Sequence, residues 1–340
     1  MKKVNVAVLM GGKSAEHEIS LSSGREVVKN LDSKKYNVLP IVISKDGIAW
    51  QIGNKKQFLL DSPARVKLQS PISKTRNLNR SDHASIIKDN KVGVVFIALH
   101  GPNGEDGTIQ GFLDLLGVSY TGSGVLASAL GMDKIYSRRL FVQAGLNVPK
   151  YLVISKNDLP NKVFNKFKLP VFIKPSNQGS SVGVSKVTKK SDLKKASKLA
   201  FGFSDLAIVE EYLRGREITV PILGNENPLA LPVIEIVPKT DFFDYKAKYD
   251  EKLCEEIVPA RISKELTSDA QKAAILAYLT LGCRGFGRVD MIIKDKKIYV
   301  LEVNTIPGLT PVSLFPKSAA SAGISYPQLL DKIIEYSVKT

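Results

Sequence analysis

GRVDMIIKDKKIYVLEVNTIPGLT, from Gly287 to Thr310, is the stretch that decides the fold. Val289 to Ile293 and Ile298 to Val303 are β-branched and apolar runs, joined by the polar Lys294-Asp295-Lys296-Lys297, which is the pattern of a hairpin. A turn centred near Asp295 and Lys296 sets Asp290 opposite, or almost opposite, Glu302. Strand side chains alternate with period two, so Asn304 shares the face of Glu302. Facing carboxylates only ~5 Å apart destabilise a bare hairpin. Either these acids are solvated strand residues in another register, or a cation lies between them. Two carboxylates and an amide oxygen are hard ligands with no thiolate or imidazole, a set that suits Mg²⁺ or Mn²⁺ better than zinc or copper.

Moving toward the N-terminus, FFDYKAKYDEKLCEEIVPARIS (Phe242 to Ser263) is polar, aromatic-containing and irregular, as functional lids often are. Lys248 and Tyr249 are its residues best suited to contact a phosphate and to donate a hydroxyl; solvent-facing loop residues would read the same way. AIVEEYLRGREITV (Ala207 to Val220) places Glu210 and Glu211 at the end of a short apolar strand ahead of Leu213. Strand-edge backbone there can hydrogen-bond a purine, and Glu217 can receive ribose hydroxyls. The same glutamates can equally balance Arg214 and Arg216. LPVFIKP carries Lys174 near its end, SNQGSSVG follows as a glycine and serine loop containing Ser180 and Ser181, and VSKV opens another strand. Backbone N–H groups of such a loop can surround phosphate oxygens, with Lys174 as a point charge; a plain hairpin loop is the other reading.

The first third alternates strand and helix: VNVAVLM, a turn at Gly11-Gly12, a helix through about Ser22 to Leu31, a strand Val38 to Ile43, and a strand Val92 to Leu99 leading into HGPNGEDGTIQGFLDLLG. That order predicts a doubly wound parallel sheet, whose ligands bind beyond the carboxyl ends of the strands. Glu16 and His100 fall at those ends, as site residues or as loop residues and helix caps. Ser62 to Ser85 is polar and turn-rich and reads as a loop. Gly122-Ser123-Gly124 resembles a dinucleotide fingerprint, yet no acid ends a second strand about twenty residues on, and a tight strand-to-helix turn explains the glycines as well.

At 340 residues the chain exceeds one ordinary core, so two or three domains are expected. No apolar run approaches membrane-spanning length. The start, Met1-Lys2-Lys3 before VNVAVLM, gives way to Gly11-Gly12 and charged residues without a cleavage site, so it reads as a first strand. Cys254 and Cys283 have no metal-type or redox-type spacing, which fits a reduced cytoplasm. The net charge of +16 is spread along the chain without interleaved aromatics, against nucleic-acid binding and consistent with small anions such as nucleotides.

Together, the Lys174 strand with GSSVG, EEYLRGREITV and GRVD…LEVNTIPG resemble the ATP-grasp enzymes. GGKSAEHEISLSSG, HGPNGEDGTIQG, YTGSGVLASALGMDK and DYKAKY more narrowly resemble bacterial D-alanine:D-alanine ligases. The resemblance implies an α/β and α+β chain: an N-terminal doubly wound substrate-binding domain at 1–122, then an ATP-grasp fold of a central part at 123–210 and a C-terminal part at 211–340. It implies that Lys134 and Lys174 contact ATP phosphates, that the Ser180-Ser181 loop closes over them, and that Glu210, Glu211, Leu213 and Glu217 line adenine and ribose. Lys248 reaches phosphate from the lid, while Asp290, Glu302 and Asn304 hold two Mg²⁺ or Mn²⁺ ions. Glu16 pairs with the first D-alanine's ammonium through a relay with Ser180 and Tyr249, and His100 lies near. Arg288 and the Gly308 N–H stabilise the tetrahedral intermediate, and Ser313 with Leu314 engage the second D-alanine. The expected setting is a cytoplasmic homodimer serving peptidoglycan precursor synthesis, with no nucleic-acid or membrane partner. DYKAKY favours an amine nucleophile over D-lactate. A ligase for another second substrate, D-serine or D-lactate, and a nucleotide-binding regulatory protein without turnover are the competing expectations.

Overall fold

The computed structural model describes residues 3–53, 83–158, 163, 166–239 and 254–338. The chain forms two compact units: the first takes Met1–Val125, Arg284–Phe286 and Ile306–Thr340, the second Leu126–Cys283 and Gly287–Thr305.

In the first unit, β1 (Val4–Gly11), α1 (His17–Asn30), β2 (Tyr36–Ile43), β3 (Trp50–Ile52), α2 (His83–Asp89), β4 (Val94–Ile97), α3 (Thr108–Leu116) and β5 (Ser119–Tyr120) follow one another. The sheet order is β3-β2-β1-β4-β5, parallel except for β3. The order reverses at β1, so loops after β1 and β4 open at the same edge, where doubly wound sheets bind ligands. Val6 to Met10 and Val94 to Ile97 are wholly buried, as strands covered on both faces must be. α1 begins a turn earlier than its apolar pattern suggests, because polar Ser20 and Ser23 are buried in it. The helix α2 begins within the polar stretch Ser62 to Ser85 whose composition reads as a loop, and the short antiparallel β3 precedes that stretch. The rest of that stretch lies outside the described residues.

The second unit carries two sheets. After α4 (Val125–Met132) and α5 (Lys134–Gln143), the strands β6 (Tyr151–Ser155), β7 (Val171–Pro175), β8 (Ser185–Val187) and β9 (Leu206–Glu211) pair antiparallel in the order β6-β9-β7-β8, with α6 (Leu193–Ala200) against β7 and β8. The other sheet takes β10 (Arg216–Leu223), β11 (Leu229–Ala230), β12 (Ile234–Pro238), β13 (Cys254–Ile257), β14 (Phe286–Lys294) and β15 (Lys297–Asn304), in the order β13-β12-β10-β14-β15 with β11 on β10. α7 (Lys264–Thr280) lays Ala270, Ala274 and Ala277 on this sheet. These small residues at helical spacing bring it close to Ile218, Val220, Val289 and Val300. Each large aliphatic side chain so buried contributes about 1.5–3 kcal/mol.

α8 (Leu314–Ser321) and α9 (Tyr326–Val338) belong to the first unit, where Leu329, Leu330, Ile333 and Ile334 of α9 are buried, the stripe its sequence predicts. The last expected segment, 211–340, is thus divided: its sheet lies in the second unit and its final helices in the first.

Candidate active site

The hairpin is formed by β14 and β15, turning at Asp295 and Lys296, both with left-handed φ of 50° and 60°. That pair of left-handed residues makes a two-residue turn whose twist matches the strands. Its register pairs Asp290 with Glu302, and Arg288 with Asn304. A bulge between Asp290 and Met291 leaves Leu301 as the extra residue, because Met291 pairs with Val300. Bulges re-aim side chains near sites.

The counter-charge that this pairing demands is supplied by the protein itself. Arg288 grips Asp290 in a fork, Nε donating to Oδ1 and Nη2 to Oδ2, each at 2.9 Å. Thr219 of β10 donates to Oδ1 at 2.6 Å and Asn304 Nδ2 to Oδ2 at 2.9 Å. Lys134 Nζ lies 3.3 Å from Glu302 Oε2 and donates to the Gln178 carbonyl at 2.6 Å. The facing acids thus have protein partners in addition to the cation that the strand pattern suggests. Asp290, Glu302 and the Asn304 amide remain a hard-oxygen donor set that fits Mg²⁺ or Mn²⁺, and both acids face one cavity. Among the described residues no cluster of three His, Cys, Asp or Glu offers another metal position.

That cavity, of ≈ 620 Å³, lies wholly within the second unit and is large enough for a nucleotide. Lys134, Lys174, Glu210, Glu211, Leu213, Glu217 and Ser181 line it together with the two acids. Lys134 is the first residue of α5, where the helix dipole disfavours a cation. It is held there by the Asp133 cap, whose Oδ1 accepts from Ile135 and Tyr136 N–H, and by Glu302. Lys174 pairs with Glu210, whose Oε2 also lies 2.6 Å from Arg138 Nη2. Burial works to raise the Glu210 pKa, but the Arg138 and Lys174 charges outweigh it and the carboxyl is held below the usual range. Glu211 instead turns to the backbone and accepts from Lys150 N–H at 2.8 Å.

Ser180 and Ser181 both carry left-handed φ, 46° and 58°. Two consecutive non-glycine residues in that region cost roughly 1–2 kcal/mol each, a strain that clusters at ligand-binding loops. A Cβ at Gly183 would come within 2.8 Å of Pro175 and 2.7 Å of Phe203, so the loop must cross there on glycine.

In the first unit, Glu16 occupies the N-cap position of α1 but its side chain makes no cap hydrogen bond. Its Oε2 stands 3.0 Å from where a Cβ on Gly101 would be, which turns the carboxylate toward the loop after β4. His100, buried there, contacts Ser23 Oγ at 3.0 Å through Nε2 and the Ile306 carbonyl at 3.1 Å through Nδ1, with Glu105 Oε1 at 3.5 Å. Burial works against the charged imidazole, but the hydrogen bond and charge of Glu105, then the charge of Glu16, raise its pKa. Ser313 is the N-cap of α8, yet its hydroxyl is engaged with Thr310, accepting from its N–H at 3.2 Å and lying 2.7 Å from its hydroxyl. Leu314 opens α8. Gly308 passes 3.0 Å from Ser313 Oγ at its would-be Cβ, an approach a side chain would crowd. Lys248 and Tyr249 lie outside the described residues. Sequence reasoning missed Arg138, Thr219, Ser23 and Glu105. Arg138 had one available signal, its position four residues after Lys134 on the same helical face.

Comparison with known proteins agrees along the whole chain. Residues 5–123 match the family described as D-ala D-ala ligase N-terminus and residues 140–335 the D-ala D-ala ligase C-terminus. A D-alanine–D-alanine ligase of Geobacillus kaustophilus is 40% identical over 353 aligned residues, covering 99% of this chain and 95% of that one. One from Bacillus cytotoxicus is also 40% identical, covering 100% and 97%. Among solved structures, the VanG D-Ala:D-Ser ligase of Enterococcus faecalis superposes with a TM-score of 0.83 at 35% identity, covering 99% of this chain and 100% of that one. The Bacillus anthracis D-alanine–D-alanine ligase complexed with ATP gives 0.79 at 35% identity, covering 100% and 98%.

Proposed function

The chain belongs to the D-alanine–D-alanine ligase family, and from that premise we propose that it joins two D-alanines at the expense of ATP by the route its side chains outline. The fold is the family's: a doubly wound parallel-sheet domain with an ATP-grasp fold. One observation carries the reading of the site: the paired Asp290 and Glu302 lie in the wall of the same cavity that Lys134 and Lys174 enter.

A carboxylate is a poor acylating agent, so the first D-alanine's carboxylate oxygen attacks the γ-phosphorus of ATP, giving an acyl phosphate and releasing ADP. Lys134 and Lys174 hold the phosphates, and the Ser180-Ser181 loop closes on them through backbone N–H groups. Glu210, Glu211, Leu213 and Glu217 flank adenine and ribose, and Lys248 adds charge from the lid. Asp290, Glu302 and Asn304 would hold two Mg²⁺ or Mn²⁺ ions, which shield phosphate charge when bound. The second D-alanine's amine, deprotonated, then attacks the acyl carbonyl, and the tetrahedral intermediate expels phosphate. Arg288 and the Gly308 N–H stabilise its oxyanion. Glu16 pairs with the first D-alanine's ammonium, with His100 beside it and a relay through Ser180 and Tyr249. Ser313, Leu314 and the first turn of α8 receive the second carboxylate, since a helix N-terminus presents N–H groups to an anion. We assign the protein to the cytoplasm as a homodimer that supplies peptidoglycan precursors; among the described residues no helix is long and apolar enough to cross a membrane.

Phosphate release from ATP is expected to require both D-alanine and Mg²⁺ and to be absent with L-alanine. The likeness to a D-Ala:D-Ser ligase makes D-serine the informative competitor. Mass spectrometry of the product from equimolar D-alanine and D-serine should show D-alanyl-D-alanine in excess. A mixed product in excess would reassign the second substrate and leave the ligase reading standing.

A further inference from the structure

Arg138 is among the largest wholly buried side chains of the protein, a rare place for a guanidinium. It follows Lys134 by one turn of α5, so both project from the same face. Its Nη2 reaches Glu210 at 2.6 Å and donates a long hydrogen bond, 3.4 Å, to the Leu301 carbonyl of β15. The Tyr151 ring lies 5.8 Å from its central carbon. Nε and Nη1 are buried with no hydrogen-bond partner among the described residues. Two unmatched buried donors weaken a fold, and an apolar side chain of similar volume would serve packing better. Among the described residues its ion pair is with the carboxylate that also holds Lys174, and the Glu210 Oε2 that faces it makes no hydrogen bond, so the link is one of charge.

We propose that Arg138 is a positioning residue: by sharing the charge of Glu210, it leaves Lys174 a free cation for the nucleotide's phosphates. The proposal rests on the reading of Lys174 as a phosphate ligand. Arg138, Glu210 and Lys174 together carry one net positive charge. Without Arg138, Glu210 and Lys174 cancel, and the ammonium is held by a carboxylate with no second partner. The loss then scales with the phosphates on the nucleotide and spares the adenosine end, which a merely structural role would not do.

Calorimetric affinities for adenosine and ADP test this in the full-length protein and its variants. Arg138→Met is expected to weaken ADP by about tenfold or more while adenosine changes by less than about twofold, and Arg138→Lys to stay within about threefold of the parent for both. Glu210 also flanks the proposed adenine edge, so the double variant is read as the ratio of ADP to adenosine affinity, in which a loss at adenine cancels. Adding Glu210→Gln to Arg138→Met is expected to restore most of that ratio, because the charge that cancels Lys174 is gone. Equal weakening of adenosine and ADP by Arg138→Met, or a ratio lower in the double variant than in Arg138→Met, would overturn the proposal. Should Arg138→Met fail to fold, Glu210→Gln is compared with the double variant. Equal ADP affinities there support the proposal, and a further tenfold loss refutes it. Lys174→Met separates the premise: if the preference for ADP over adenosine survives it, Lys174 is not a phosphate ligand. If it collapses there but persists in Arg138→Met, only the role of Arg138 fails.

Discussion

Replacing Asp290 by alanine is expected to lower kcat/KM by roughly 10³-fold or more, with a smaller loss of stability of about 1–3 kcal/mol. The two effects have separable causes. Asp290 accepts from Thr219, from Arg288 through both oxygens, and from Asn304, so its loss removes the fork that holds a half-buried guanidinium and one of the two acceptors of a buried hydroxyl, which keeps the Val289 carbonyl at 3.1 Å. That is the structural part. The catalytic part is larger because the same carboxylate is the proposed metal ligand and the group that fixes Arg288, which we propose stabilises the intermediate. Glu302→Ala should lose turnover comparably but cost less stability, since Glu302 is more exposed and Lys134, which pairs with it, also has the Gln178 carbonyl. Asp290→Asn keeps the shape and removes the charge; it should melt close to the parent protein and remain nearly inactive. Turnover followed by phosphate release at several Mg²⁺ concentrations, with thermal melting alongside, decides the matter. A near-parental rate for either alanine variant at moderate Mg²⁺ would defeat the metal assignment.

How much of this site was legible in the sequence depended on how local the determinant is. The Asp290–Glu302 register could be read because two β-branched runs and a four-residue polar join leave room for little but one short turn, and alternation then fixes the faces. The partners that come from other elements could not. Lys134 reaches Glu302 from a helix more than 150 residues earlier, and Thr219 reaches Asp290 from a strand whose sequence, REITVPIL, reads only as a good β-former. The sequence shows the facing acids but offers no view of a side chain arriving from elsewhere. The same limit hid the ion pair that ties Glu210 to Arg138 as well as to Lys174. In the fold, α2 and β13 were missed because each lies in or at the end of a stretch whose polar composition signals a loop, and β3 because three residues are too few to show an alternating pattern. The return of Ile306–Thr340 to the first unit has no local signature at all; the helical stripe in α9 predicts that it packs, but not on what.

Gly215→Ala is expected to destabilise the second unit by about 2–4 kcal/mol, an effect of overpacking against backbone. Gly215 lies between Leu213 and Glu217 in the junction that follows β9, and it passes directly over β14. A Cβ there would stand 2.7 Å from Ile292 Cγ2 and closer still to the Ile293 carbonyl oxygen. A flexible side-chain tip could yield, but a backbone carbonyl within a sheet cannot move without disturbing the strand that carries Asp290. The junction and the hairpin are therefore held in contact by the absence of a side chain at Gly215. In a melting experiment this should appear as a drop of several degrees, accompanied by a raised KM for ATP in protein that remains folded. Gly111→Ala is the matched control. Its Cβ would meet only Val125 Cγ2 at an ordinary 3.7 Å, and it sits inside α3, where alanine is favoured over glycine by roughly 0.5–1 kcal/mol. The control should melt at or slightly above the parent temperature with KM unchanged. If Gly215→Ala behaved the same way, the close packing of junction on hairpin would have no energetic weight, and the shared wall of the cavity would need another explanation.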